Sequence, residues 1–181
     1  MIGLGRPEGR ETGDAEETRM DAKLQQLLDE KEIVDVMNAY TTALDTRDWD
    51  LLASTFTPDG DADFGNIAGV GALDSPQAVV DLCRGALQNL QATQHLQGNY
   101  VVEVDGDAAT ASCYLQANHF YDGAPGGNVF VVWAKYTDRF VRTADGWKIK
   151  HRDLAAISAG GNQNLFNEAA ELAGKAAPTP G

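Results

Sequence analysis

The chain has 181 residues, 43% hydrophobic and 23% charged, with a formal net charge of −13. That length predicts one domain able to bury a sizeable core. The acidic balance excludes a nucleic-acid surface, which needs clustered Lys and Arg, and favours, weakly, a neutral or cationic ligand.

Residues 1–20 are rich in Gly, Glu, Arg and Thr and lack the apolar core of a secretory signal, so they read as a disordered tail. The domain is expected over residues 21–160. In "KLQQLLDEKEIVDVMNAYTTAL", Leu24, Leu27, Leu28, Ile33, Val36, Met37, Tyr40 and Leu44 recur at helical spacing. "WDLLASTF" predicts a short second helix that "TPDGD" stops, and "ADFGNI" a short strand. "DSPQAVVDLCRGALQNL" predicts a third helix, with Ser75 as N-cap and Pro76 at its first position.

After Leu90 the period becomes two. "ATQHLQGNYVVEV" and "AATASCYLQANHFYD" form a hairpin about a tight "DGD" turn, and "VFVVWAKYTDRFVRT" and "WKIKHRDLAAI" follow as long strands. Residues 161–181 read as an extension: "NQNLFNEAAELAGK" as a last helix that docks on a neighbour or frays, then a tail. Cys83 and Cys113 form no disulfide or zinc pattern and read as buried free thiols in a reducing compartment. No apolar run approaches the roughly 18 residues of a membrane span. A cytoplasmic protein that binds no membrane is expected.

Helices first and a strand meander afterwards predict an α+β fold. The expected form is a cone of curved antiparallel sheet, with helices over its concave face and an apolar pocket at the open end. Phe130, Val132, Tyr136 and Phe140 alternate as an outer sheet face for a homodimer or homotrimer would.

Alternation places His119 on one face with Ala111, Cys113, Leu115 and Ala117, a small apolar set that leaves room for a ligand. His95 shares a face with Gln97, Asn99 and Val101, and the hairpin turn brings it close to His119. Two imidazoles on one apolar floor are costly to keep for packing alone. His151 lies in line with Trp147 and Ile149, with Lys148, Lys150 and Arg152 on the other face, and reads as a satisfied core residue. No HxH or HxxxH pair occurs, so no metal site is expected. In "ALDTRDWDLL", Asp45 is either the N-cap of the second helix or a carboxylate reaching the sheet, whereas Asp48 and Asp50 read as first-turn charges. Tyr40 is core-facing, to pack or to serve as an acid.

The stretches "YTTALDTRDWDLLASTFTPDGDADF", "TQHLQGNYVVEVDGDAATASCYLQANHF" and "YTDRFVRTADGWKIKHRDL" resemble the SnoaL-like branch of the nuclear-transport-factor-2-like superfamily, scytalone dehydratase and bile acid 7α-dehydratase among its members. The resemblance covers roughly residues 25–160. It implies a cystatin-like α+β barrel, dimers or trimers, and acid/base chemistry by a His–Asp pair without metal or organic cofactor. Carried over, it implies Asp45, His95, His119 and Tyr40 as catalytic. Leu44 and Phe64 stand where scytalone dehydratase has tyrosines, so the reaction class carries over better than the substrate. The expected activity is a dehydratase, with isomerase or cyclase next, acting on a polycyclic or aromatic polyketide- or steroid-like molecule. Alternation names Phe64, Val101, Leu115 and Trp133 as its contacts. A non-catalytic binding domain or accessory subunit of the same fold is the alternative.

Overall fold

Among its described side chains, the long N-terminal helix buries residues from Asp29 onward. In a computed structural model, which describes residues 9–65 and 70–176, helix α1 spans Gly9–Thr46. Ile33, Met37, Tyr40 and Leu44 recur at steps of three and four and are buried, as an amphipathic stripe requires. One turn earlier that stripe reaches Asp29, not a leucine. Asp29 accepts from two nitrogens of Arg142, at 2.7 and 2.8 Å, and from Trp147 Nε1 at 3.2 Å. Leu24, Leu27 and Leu28, expected on the core stripe, lie off it and are exposed. The helix extends back through residues 9–20, which the sequence reading assigned to a tail. Residues 15–28 are exposed throughout, so good helix formers rather than burial sustain this part. Residues 1–8, 66–69 and 177–181 lie outside the described residues.

Helix α2 (Trp49–Ser54) is capped by Asp48, whose side chain accepts from Leu51 N at 2.9 Å. Helix α3 (Pro76–Leu87) starts as expected, with Ser75 Oγ accepting from Ala78 N at 3.2 Å. Six strands follow the order β2-β1-β6-β5-β4-β3: β1 (Phe56–Phe64), β2 (Gly71–Leu73), β3 (Ala92–Asp105), β4 (Ala108–Phe120), β5 (Val129–Thr143) and β6 (Gly146–Gly161). Strand β1 begins earlier than expected. "TPDG" does not end the helix but forms an irregularity inside β1, between Phe56 and Asp61. Gly60 is needed there, since a Cβ would come within 3.0 Å of Thr57 O and 3.1 Å of Ile149 O.

The expected antiparallel sheet is antiparallel in every pair but one. Strand β1 leaves the helical layer and lies parallel to β6. The chain has the α+β, cystatin-like architecture, with the helices on a curved sheet that stays unclosed.

Bulges decide which side chains face the core. Asn99, at φ 56°, carries a register shift in β3. Before it the odd residues His95 and Gln97 face inward; beyond it Tyr100, Val102 and Val104 do. Val101, expected in the pocket, is therefore turned outward and 57% exposed. In β6, Lys150 and Ile157 are the extra residues opposite the β5 irregularities. The first shift puts Arg152, expected outside, fully inside, where it pairs with Asp138 at 2.6 and 2.8 Å. His151, expected inside, instead pairs with Asp61 and, at 3.2 Å, Asp153. In β5 the faces are the reverse of those expected. Phe130, Val132, Tyr136 and Phe140 face inward, whereas Trp133, expected as a pocket residue, is outside and 40% exposed. Lys135, Thr137 and Arg139, which alternate with the apolar set, take the solvent side. No described helix is long and apolar enough to cross a membrane.

Candidate active site

The end of α1 delivers a carboxylate to the start of β3. Because Asp48 caps α2, Asp45 is free of the capping role. Arg47 adopts φ 62° and ends α1, and its guanidinium folds back onto Leu44 O. The same Nη1 donates to Thr93 Oγ1 at 2.7 Å, and that hydroxyl donates to Asp45 Oδ1 at 2.9 Å. His95 backbone N–H donates to Asp45 Oδ2 at 2.9 Å. His95 Nδ1 lies 2.6 Å from Asp45 Oδ1. Asp45 is thus held at both oxygens before any ligand arrives. Burial works to raise its carboxyl, but the hydrogen bonds from the His95 ring, the His95 backbone and Thr93 outweigh it, and the net shift is downward. An ionised Asp45 accepts a hydrogen bond from His95 Nδ1–H, leaving the Nε2 lone pair free.

The His95 side chain is only 5% exposed, and it lines an apolar cavity of about 570 Å³. Tyr40, His119, Phe64 and Leu115 line the same cavity, as expected. His95 and His119 stand edge to face, 5.6 Å between ring centroids. The hairpin pairs His95 with Ala117 and Thr93 with His119, which places both imidazoles near one end.

Tyr40 forms part of the floor. The Arg152 guanidinium lies against its ring and against that of Tyr136, at 3.9 and 4.1 Å from their centroids. Burial raises the Tyr40 phenol well above its usual value, so it keeps its proton. Cys83 lies on the same wall, and burial pushes its thiol up to about 12. Both cysteines are free and buried. Among the described residues no group of three or more His, Cys, Asp or Glu side chains converges where it could hold a metal ion.

The sequence reading missed two parts of the site. Thr93 and Arg47 brace Asp45. Thr93 was legible as the residue two before His95 on the same strand face; Arg47 was not, since only its left-handed backbone turns it back. The second part is a wall built by helix α4 (Leu165–Ala176), expected to fray or to dock on a neighbour. It packs on its own domain instead, with Leu165 and Ala169 fully buried. Phe166 lies edge-on to His119 at 5.0 Å and to Phe130 at 5.6 Å, and with Gln163 it lines the cavity. Gly161, at φ 85°, makes the turn into α4; a Cβ there would meet Val129 O at 2.2 Å. Glu168 then pins the helix by accepting from Gly126 N at 3.1 Å and Asn162 Nδ2 at 2.8 Å.

This architecture recurs in solved structures. A protein of Kribbella flavida matches with a TM-score of 0.71 at 24% identity, over 80% of this chain and 99% of that one. A hexachlorocyclohexane dehydrochlorinase matches with a TM-score of 0.67 at 20% identity, over 77% and 92%. A protein of Novosphingobium aromaticivorans, provisionally assigned as a scytalone dehydratase, matches with a TM-score of 0.65 at 20% identity, over 78% and 91%. At these identities the likeness is one of fold. In sequence, an uncharacterized protein of Mycobacterium tuberculosis strain H37Rv is 31% identical over 128 residues, 70% of this chain and 84% of its own length. Residues 25–153 match the SnoaL-like domain, and the chain belongs to that family.

Proposed function

We propose that the protein is a cofactor-free acid/base enzyme acting on an apolar, ring-containing small molecule, with elimination as its reaction and isomerisation or cyclisation next. The observation that carries this is the 2.6 Å contact between Asp45 Oδ1 and Nδ1 of His95, whose ring lines a cavity of about 570 Å³ with a largely apolar wall. Asp45 holds the His95 tautomer, and His95 Nε2 removes a proton from carbon beside a carbonyl or a leaving group. General base catalysis of this kind contributes on the order of 10²–10⁴ in rate. Tyr40 keeps its proton and donates to an oxygen of the substrate. His119 is the weaker candidate for acid, because its ring is held neutral. Two solved neighbours of the fold, a dehydrochlorinase and a provisionally assigned dehydratase, carry names of elimination enzymes, in agreement with the order of preference.

The test uses solvent deuterium exchange at the α-carbon of cyclic ketones and enones, which reports proton removal before the natural substrate is known. On a compound that wild type exchanges, His95→Ala and Asp45→Asn are each expected to lose about 10²-fold or more while melting near the wild-type temperature. Full exchange by both folded variants overturns the dyad. Tight binding with no exchange by wild type on any compound supports the binding-domain alternative.

A further inference from the structure

The two cavity histidines face a ligand on unequal terms, and the difference defines what it must carry. His119 Nδ1 lies 3.1 Å from the carbonyl oxygen of Phe130. A carbonyl only accepts, so that nitrogen carries the ring proton. In the neutral ring Nε2 is then a bare acceptor. It finds no partner among the described residues, and it is not among the sealed polar atoms left unsatisfied, which are Thr57 Oγ1, Asp63 Oδ1 and Arg152 Nη1. The ring lines the cavity, and Nε2 is the nitrogen it has left to offer there.

The surroundings keep the ring neutral. His119 is 4% exposed, stacked at 5.7 Å on Phe130 and edge-on to Phe166. Burial first, and the neighbouring His95 second, lower its pKa to about 4. No Arg, Lys, Asp or Glu lines the cavity among the described residues. The nearest buried cation, Arg152, lies behind the Tyr40 and Tyr136 rings and is already paired with Asp138. A carboxylate or phosphate entering the cavity would meet two histidine lone pairs, the neutral Tyr40 phenol and no counter-charge. A bare carbonyl at Nε2 would set acceptor against acceptor.

We infer that the cavity takes an uncharged ring compound bearing a hydroxyl group, and that His119 selects it by accepting the hydroxyl hydrogen bond at Nε2. This rests on the proposed reading of the site but concerns ground-state recognition, so the two can fail separately. A polar group built to receive a hydroxyl discriminates strongly against analogues that leave it unpaired.

Calorimetry of the full chain at neutral pH with four probes tests it: 2-naphthol, 2-methoxynaphthalene, 2-acetonaphthone and 2-naphthoate. The expected result is 2-naphthol binding roughly tenfold or more tighter than the ether and the ketone, with naphthoate weakest. His119→Phe, which keeps a flat ring against Phe130 and Phe166, is expected to retain the ether and erase the preference. The ¹⁵N NMR spectrum of wild type gives a readout that needs no variant. His119 should show a protonated Nδ1 and an unprotonated Nε2 whose resonance moves when 2-naphthol binds. Equal affinities for naphthol and ether, tightest binding of naphthoate or the ketone, or an Nε2-protonated ring overturns the inference. A naphthol preference that persists in His95→Ala, alongside failure of the exchange test, removes only the proposed catalysis. Loss of exchange in the dyad variants without a naphthol preference removes only this selection rule.

Discussion

Asp45 can serve His95 because the residues around it take the other duties. Asp48 caps α2, Arg47 closes α1 with a left-handed turn, and Thr93 fills a remaining lone pair of the carboxylate. Thr93 touches Asp45 rather than the cavity, so it is a positioning residue. Thr93→Val, nearly the same shape, removes that hydrogen bond and the one Thr93 Oγ1 accepts from Arg47. It is expected to lower kcat/KM roughly tenfold, the equivalent of about 1.4 kcal/mol, with an unchanged melting temperature. Thr93→Ser should restore most of the rate, and a fully active Thr93→Val removes the bracing role. At this scale the sequence was informative about identities. Asp45, His95, His119 and Tyr40 all come to one place. It misplaced the cap of α2, reading Asp48 as a first-turn charge and Asp45 as the candidate cap, because both precede the short helix and either fits a capping pattern.

Elements carry the alternation rule, and the rule holds only between bulges. His119 was assigned to the buried face with Ala111, Cys113, Leu115 and Ala117, and β4 is regular along that length. Val101 and Arg152 lie beyond a bulge, and both were assigned to the wrong face. Asn99 is the hinge of the first error. Asn tolerates φ 56° better than most residues, and a β-branched side chain does not. Asn99→Val is expected to cost about 1–2 kcal/mol in urea unfolding, and Asn99→Gly to be neutral or slightly stabilising. Equal stability of Val and Asn at this position would show that the bulge relaxes easily.

For the whole molecule, the inward turn of Phe130, Val132, Tyr136 and Phe140 removes the outer face first expected for self-association. The outer surface instead exposes Leu96, Val101, Tyr114, Trp133 and Ile157. A homodimer or homotrimer would have to use that face, with a second copy of this chain as its occupant. Light scattering is then expected to give a multiple of 19.4 kDa for wild type and 19.4 kDa for Trp133→Lys. A monomeric wild type withdraws the expectation.

Local periodicity determined the types of most elements, the N-cap of α3, the β3–β4 hairpin and the burial of His119, since each depends on residues near in sequence. The resemblance added the Asp45–His95 pairing, which spans fifty positions and which no spacing rule reaches. Only the tertiary structure decided the parallel seat of β1 beside β6, the bulges that exchange faces, and the folding of α4 onto its own cavity. The reason is that these are settled by competition among distant segments for the same buried surface. A single residue inserted in a ladder shifts every side chain after it, and nothing local in the chain marks where that happens.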